Sequence, residues 1–228
     1  MIPPAGGDCL ERNAWICGKY LTTRKHQIFA DLHQHIDLVI VSVLVGLVIA
    51  VPLALLVRRW RRAEGTVMGT TSALYSVPSL ALFAIFVPIT GLTTRTVQIG
   101  LIVYTLVILV RNTLAGLDGV PPDVIEAARG MGYGRLRLFA GVELPLALPS
   151  IIGGVRIATV STVALATVGA VIGHGGLGNE LADAIGSNFK AEALVASVLC
   201  VALALLADAL LLGVERLLTP WRRRRTTS

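Results

Sequence analysis

The chain has 228 residues, a net charge of +6, 54% hydrophobic residues and a mean hydropathy of +0.75. Such hydropathy excludes an ordinary soluble domain and points to one polytopic membrane domain. The basic excess alone would allow a nucleic-acid partner, but its placement, given below, argues for a membrane surface and against nucleic acid.

Residues 1–35 form a polar head. Trp15, Tyr20, Ile28, Phe29 and Leu32 are scattered among charges. That mixture suits an interfacial helix over 19–34 with aromatic anchors, a disordered arm being the alternative. Residues 1–16 lack the basic start and apolar core of a cleavable signal peptide. Cys9 and Cys17 stand eight residues apart. That is ~12 Å along a helix, against the ~6 Å between Cα atoms that a disulfide needs. A bridge therefore requires a turn, and the sequence leaves it open. His26, His33 and His35, with Asp31 and Asp37, invite a metal reading. His33 and His35 are two apart and face different sides of a helix, so polar residues at a membrane interface are the better account.

Five apolar runs follow, at 36–57, 66–90, 97–117, 150–172 and 193–212. Each has about the 20 residues that cross a ~30 Å hydrocarbon core. Each must be helical, because lipid offers backbone groups no partner. The expectation is an all-α fold with a transmembrane domain over 36–217 and a basic tail over 218–228. In the second run Ser76, Pro78 and Ser79 predict a kink. Freed carbonyls in such a helix either line a translocation path or are satisfied silently by Ser76 or Ser79. The third run ends at Arg111, placed to snorkel to phosphates. In the fourth, Ala164, Thr167 and Gly169 suggest a helix packed on protein. Arg156 and Asp208 are charges within apolar runs and are predicted to pair, since lone charges at depth are costly. Cys200 reads as plain packing.

Between the third and fourth runs lies 121–149, PPDVIEAARGMGYGRLRLFAGVELPLALP. Pro121 and Pro122 stop one helix and start another. Asp123 places a carboxylate at the positive end of a short helix over 124–131. Gly130, Gly132 and Gly134 allow a reversal into a second short helix, 135–144, that ends at Pro145. With this segment inside, 13 basic residues fall inside or at the inner interface and six outside, Arg156 being within a span. The positive-inside rule then sets the N-terminus out and the C-terminus in, with Arg222 to Arg225 against anionic lipid. Residues 173–178, GHGGLG, fit the spacing of a dinucleotide fingerprint. No strand precedes them and they fall on the outer side, so that reading is rejected in favour of a turn.

Glu126, Ala127, Ala128, Gly130, Gly132 and the close Glu143, Leu144, Pro145 resemble the EAA loop of ATP-binding-cassette importer permeases. VPSLALF at 77–83, RNTLAGL at 111–117, EAARGMG at 126–132 and GGLG at 175–178 resemble the permeases of glycine betaine, carnitine and choline importers. The resemblance runs from about residue 35 onward. It implies a type I importer permease fold in the cell membrane, with a cytoplasmic coupling loop at 121–149. It implies that Glu126, Ala127, Ala128, Arg129, Gly130 and Gly132 meet a cytoplasmic ATPase subunit. It also implies that Ser76, Pro78 and Ser79 line the path, and that Gly175, Gly176 and Gly178 open an outer loop, 173–192, serving as gate or partner contact. A second permease subunit and an extracytoplasmic substrate-binding protein complete the implied assembly.

No GxxxxGK[ST] phosphate loop occurs, so ATP hydrolysis is expected of another chain. GxSxG, HExxH and CxxC are absent as well, and no cofactor is expected. An ion-driven secondary transporter is the competing class. It would favour an inverted repeat, which is not visible, and acidic residues at mid-span, where Asp208 stands alone. A membrane scaffold or enzyme is the third class. The solute itself is identified by the resemblance alone, another amino-acid-like solute being the alternative.

Overall fold

The structure is a computed structural model and describes residues 8–221; the basic run Arg222 to Arg225 lies outside the described residues. Among the described residues every regular element is a helix. In chain order these are α1 (Gly18–Arg59), α2 (Glu64–Ser76), α3 (Ser79–Thr90), α4 (Thr94–Asp118), α5 (Pro122–Gly130), α6 (Arg135–Leu138), α7 (Leu144–Ala166), α8 (Leu177–Ser187) and α9 (Lys190–Leu218). Short 3-10 turns occupy Arg61–Ala63 and Thr167–Ile172, and a π-helical turn occupies Phe139–Glu143. Gly18–Arg59, Thr94–Asp118, Arg135–Ile172 and Lys190–Leu218 are each long and apolar enough to cross a membrane. The stretches Arg61–Ser76 and Ser79–Thr90, bent by 96° at the break between them, are apolar and long enough only when taken as a pair.

Four boundaries differ from expectation. The helix expected over 19–34 and the first span are one unbroken element, α1, with Pro52 inside it. The second run is not merely kinked: α2 ends at Ser76 and α3 begins at Ser79. Pro78 lacks an N–H to continue the helix and pushes Val77 out of the helical region, so Pro78 serves as the extended N-cap of α3 at ψ 137. Pro145 does not terminate a helix; it lies in the first turn of α7. The π-helical turn absorbs its missing donor: the Leu144 N–H reaches back to the Phe139 carbonyl, and helical geometry resumes at once. The segment 173–192, expected as loop, contains α8.

The chain forms two compact units. The first contains the described residues 8–42 with Val77–Leu101 and Ser161–Leu205. Leu38, Phe83, Val97, Leu101 and Ala166 make its main apolar cluster. A Cys9–Cys17 disulfide closes the head, and Cys17 and Tyr20 are buried against Ala191. Asn13 ties that head to the start of α9: its Nδ2 donates to the Asn188 carbonyl at 2.8 Å, and its Oδ1 accepts from the Lys190 N–H at 2.8 Å.

The second unit contains Val43–Ser76, Ile102–Val160 and the described residues 206–221. Its clusters are Ala50, Leu109, Val110 and Ala158; Ala54, Val57 and Leu114; and Leu117, Ala147 and Ile151. Lipid tails are as apolar as these side chains, so close approach at small residues, rather than escape from water, holds such helices together. Gly154 shows this: an added Cβ would lie 2.4 Å from Cβ of Asn112. Ala164, expected on a protein-packed face, is exposed, whereas Gly169 is buried.

Candidate functional site

The segment after α4 is built by local chemistry. Pro121 is the N-cap of α5 and Pro122 its first residue, with Asp123 in the first turn and Arg129 in the last. The helix closes by a paired C-terminal motif: the Gly132 N–H donates to the Arg129 carbonyl at 2.9 Å, and the Tyr133 N–H to Ala128 at 3.1 Å. That motif needs a left-handed residue, and Gly132 supplies it at φ +85. Gly130 and Gly134 have no positive φ, so of the three alternate glycines only Gly132 is demanded by backbone conformation.

Glu126, Ala127, Arg129, Gly130 and Gly132 are exposed, while Ala128 is buried at 2%. The small face expected of Ala127 and Ala128 is therefore divided. Ala128 seats α5 within the unit, and Ala127 remains outside. The Glu126 side chain has no hydrogen bond or ion pair among the described residues. Met131 (71% exposed) and Leu136 (85% exposed) add an apolar rim to this knob.

The base of the knob is clamped by residues that sequence reasoning missed. Arg58, near the end of α1, forks onto Glu143 at 2.7 and 3.0 Å. Arg61 forks onto Asp118, the last residue of α4, at 2.9 Å through each nitrogen. The segment thus leaves at Asp118 and returns at Glu143 with both ends held to one arginine-rich stretch. Two arginines of the run RRWRR at 58–62 thus act as clamps on carboxylates. Glu143 was legible as part of the motif's close, but its partner was not.

In the first unit Gly175, Gly176 and Gly178 come together with Thr167, Ala170 and His35. A Cβ on Gly178 would lie 2.3 Å from the Thr167 carbonyl oxygen, and one on Gly176 would lie 2.7 Å from Cβ of His35. His35 is fully buried. Its Nδ1 lies 3.2 Å from the Gly175 carbonyl and its Nε2 lies 3.1 Å from that of Val163. This corrects the expectation of a surface histidine; His26 and His33 are exposed. The Tyr20 hydroxyl donates to Glu180 of α8 at 2.6 Å, and Asn179 reaches Asp31 at 3.4 Å.

In the second unit Arg156 forks onto Asp208, Nε and Nη2 each at 2.9 Å, with Glu215 3.4 Å from Nη1. Ser76 Oγ donates to the Ser72 carbonyl at 2.9 Å. Ser76 also lines a groove of about 450 Å³ with Ser72, Tyr75, Arg111 and Asn112. Arg111, expected to snorkel to phosphates, turns onto Ser72 Oγ at 2.8 Å. Pro78 and Ser79 belong to the first unit and do not line that groove.

An all-helical membrane domain with four helices long enough to cross a bilayer, a bent pair that can make a fifth, and an exposed, clamped helical knob after α4 defines a permease subunit of an ATP-binding-cassette importer. The chain belongs to the family of binding-protein-dependent transport system inner membrane components, whose sequence profile matches residues 42–224. It is 32% identical to the choline transport system permease protein OpuBB of Bacillus subtilis (strain 168) over 204 residues, 89% of this chain and 93% of that one. It is 36% identical to the osmoprotectant import permease protein OsmW of Salmonella typhimurium over 193 residues, 82% and 89% of the two chains. The MetNI methionine ABC transporter, solved in inward-facing conformations, shares the fold with a TM-score of 0.76 at 21% identity, over 86% of this chain and 98% of that one. The protein is an inner-membrane component.

Proposed function

We propose that this permease carries a small quaternary-ammonium or zwitterionic osmoprotectant, such as choline, glycine betaine or carnitine, inward across the membrane. What carries the reading is that OpuBB and OsmW, at 32% and 36% identity over most of their lengths, have such solutes in their names. ATP hydrolysis belongs to a separate cytoplasmic subunit, which receives α5 in a groove: Glu126 meets a basic residue, and exposed Ala127 and Gly130 permit close approach. A second permease subunit, identical or homologous, completes the membrane pathway, and an extracytoplasmic binding protein delivers the solute. The N-terminal head lies outside, the coupling segment inside. Ser76, Pro78 and Ser79 belong to the path, and the crowded segment at Gly175, Gly176 and Gly178 belongs to its outer gate. The permease does no covalent chemistry; it alternates between two packings that its partners bias.

The test is uptake by the full transporter reconstituted with its ATPase and binding protein. Labelled glycine betaine or choline should enter in an ATP-dependent manner. The variant Gly130→Trp should insert and fold normally, because nothing lies within 4 Å of a Cβ there, yet lose uptake and ATPase association. Normal uptake by that variant would remove α5 as the docking element. Absence of uptake of any quaternary ammonium solute by the unaltered transporter would remove the substrate class.

A further inference from the structure

Two arginines belong to long apolar helices, and they are treated differently. Arg156 is neutralised by a fork onto Asp208. Arg111 lies about 10 Å from the end of α4 at the helical rise per residue. Its guanidinium donates to a neutral hydroxyl, Ser72 Oγ, at 2.8 Å. Among the described residues no carboxylate pairs with it. A guanidinium carries five N–H donors in a planar fork that matches a carboxylate, and a single serine leaves most of them unused. Arg111 is exposed in the isolated chain, so these unused donors are open to whatever enters the groove.

The rest of the groove suits the other end of a zwitterion. Tyr75 lines the same groove of about 450 Å³ and is 46% exposed. Its ring stands edge-on to the buried ring of Tyr104, centroids 5.6 Å apart and planes at 74°. Tyr104 fixes Tyr75 while leaving ring surface accessible, and an exposed tyrosine face attracts a quaternary ammonium. Asn112 and Ser76 supply neutral polar wall between these two features.

We infer that the groove between α2 and α4 is a transient binding site for a quaternary-ammonium carboxylate. Arg111 takes the carboxylate, Tyr75 takes the ammonium, and Ser72 holds the guanidinium between visits. The inference rests on the proposed substrate class and adds that solute is recognised within the permease itself. A lipid phosphate could offer Arg111 the same anion chemistry, and the experiment separates the two sources.

The permease–ATPase complex is prepared with Ser76→Cys as a reporter thiol and Cys200→Ser to remove the free one. The rate of thiol labelling is read in uncharged maltoside micelles and in phosphatidylglycerol discs. Glycine betaine at ten times its dissociation constant should slow labelling about tenfold by simple occupancy. Choline, which lacks the carboxylate, should need a several-fold higher concentration. Arg111→Gln should remove that difference, Arg111→Lys should restore part of it, and Tyr75→Ala should weaken both solutes while Tyr75→Phe keeps them. The inference falls if glycine betaine gives no protection. It falls equally if inorganic phosphate protects as well as glycine betaine in micelles, or if phosphatidylglycerol alone protects and glycine betaine adds nothing. Protection is scored independently of uptake: uptake without protection removes the groove and leaves the proposed function, whereas no uptake removes the proposed function itself.

Discussion

In the first unit Gly175, Gly176 and Gly178 are enclosed by Ala170, His35 and Thr167, each so close that a Cβ would meet a heavy atom at 2.3 to 2.7 Å. In the second unit Gly130, Gly132 and Gly134 have nothing within 4 Å of a Cβ. Both stretches are glycine-rich, and in sequence they look alike. In the first, glycine lets the chain close on itself: buried His35 and the 167–172 turn occupy the space a side chain would take. In the second, the space is empty in the isolated chain, and only Gly132 is there for its backbone angle. The proposed docking of an ATPase subunit on α5 would use that room. Each unit also partners its polar side chains in its own way. The first uses a tyrosine hydroxyl and backbone carbonyls, and the second uses forked arginine–carboxylate pairs at Glu143, Asp118 and Asp208.

The sharpest way to break this comparison is one substitution made twice. Gly178→Ala should destabilise the protein by about 3 kcal/mol, at the upper end of overpacking costs, because backbone rather than a flexible side chain must move. Gly130→Ala, at the end of α5, should be neutral or stabilise by up to about 1 kcal/mol. Thermal unfolding in detergent measures both, and similar losses at the two sites would end the distinction. Next in size is the clamp beneath the coupling segment. Glu143→Gln should cost about 2 kcal/mol, less than for a fully buried pair since Arg58 retains some solvent access. Adding Arg58→Gln to it should cost less than the two single losses combined. A full additive loss would show that the fork carries no coupling. Smaller again is Arg156 with Asp208, whose side chains are 25% and 37% exposed. A double-mutant cycle should return a small favourable coupling, below that of the Arg58–Glu143 fork, and reversing the two charges should recover part of a single-mutant loss, with Glu215 limiting the recovery. Smallest for stability is Gly130→Trp, expected near zero in unfolding and large only in uptake.

Much of this was legible because it is written locally. The spans follow from run lengths that match a bilayer, and the first turn of α5 follows from proline, whose missing donor harms nothing there. Local reading failed where two local rules competed. Pro145 reads as a terminator, yet the wide turn before it absorbs the missing donor, and α7 continues. Pro78 reads as a kink, yet its effect on the residue before it ends α2 outright. The stretch 173–192 reads as loop because glycine dominates its start, yet α8 forms directly after Gly176.

Sequence by itself determined the class of this protein: helices long enough to cross lipid, the polar knob between them, and a glycine-rich reversal within that knob. Beyond the Arg156–Asp208 pair expected from the sequence, tertiary structure decided which polar groups meet. Arg58 finds Glu143 across 85 residues, His35 finds Gly175 across 140, and Tyr20 finds Glu180 across 160. A periodicity or a cap is enforced by neighbours within about a turn of helix. No such rule reaches across whole spans, so those partners are chosen by how the helices pack and by the need to pair buried polar groups away from water.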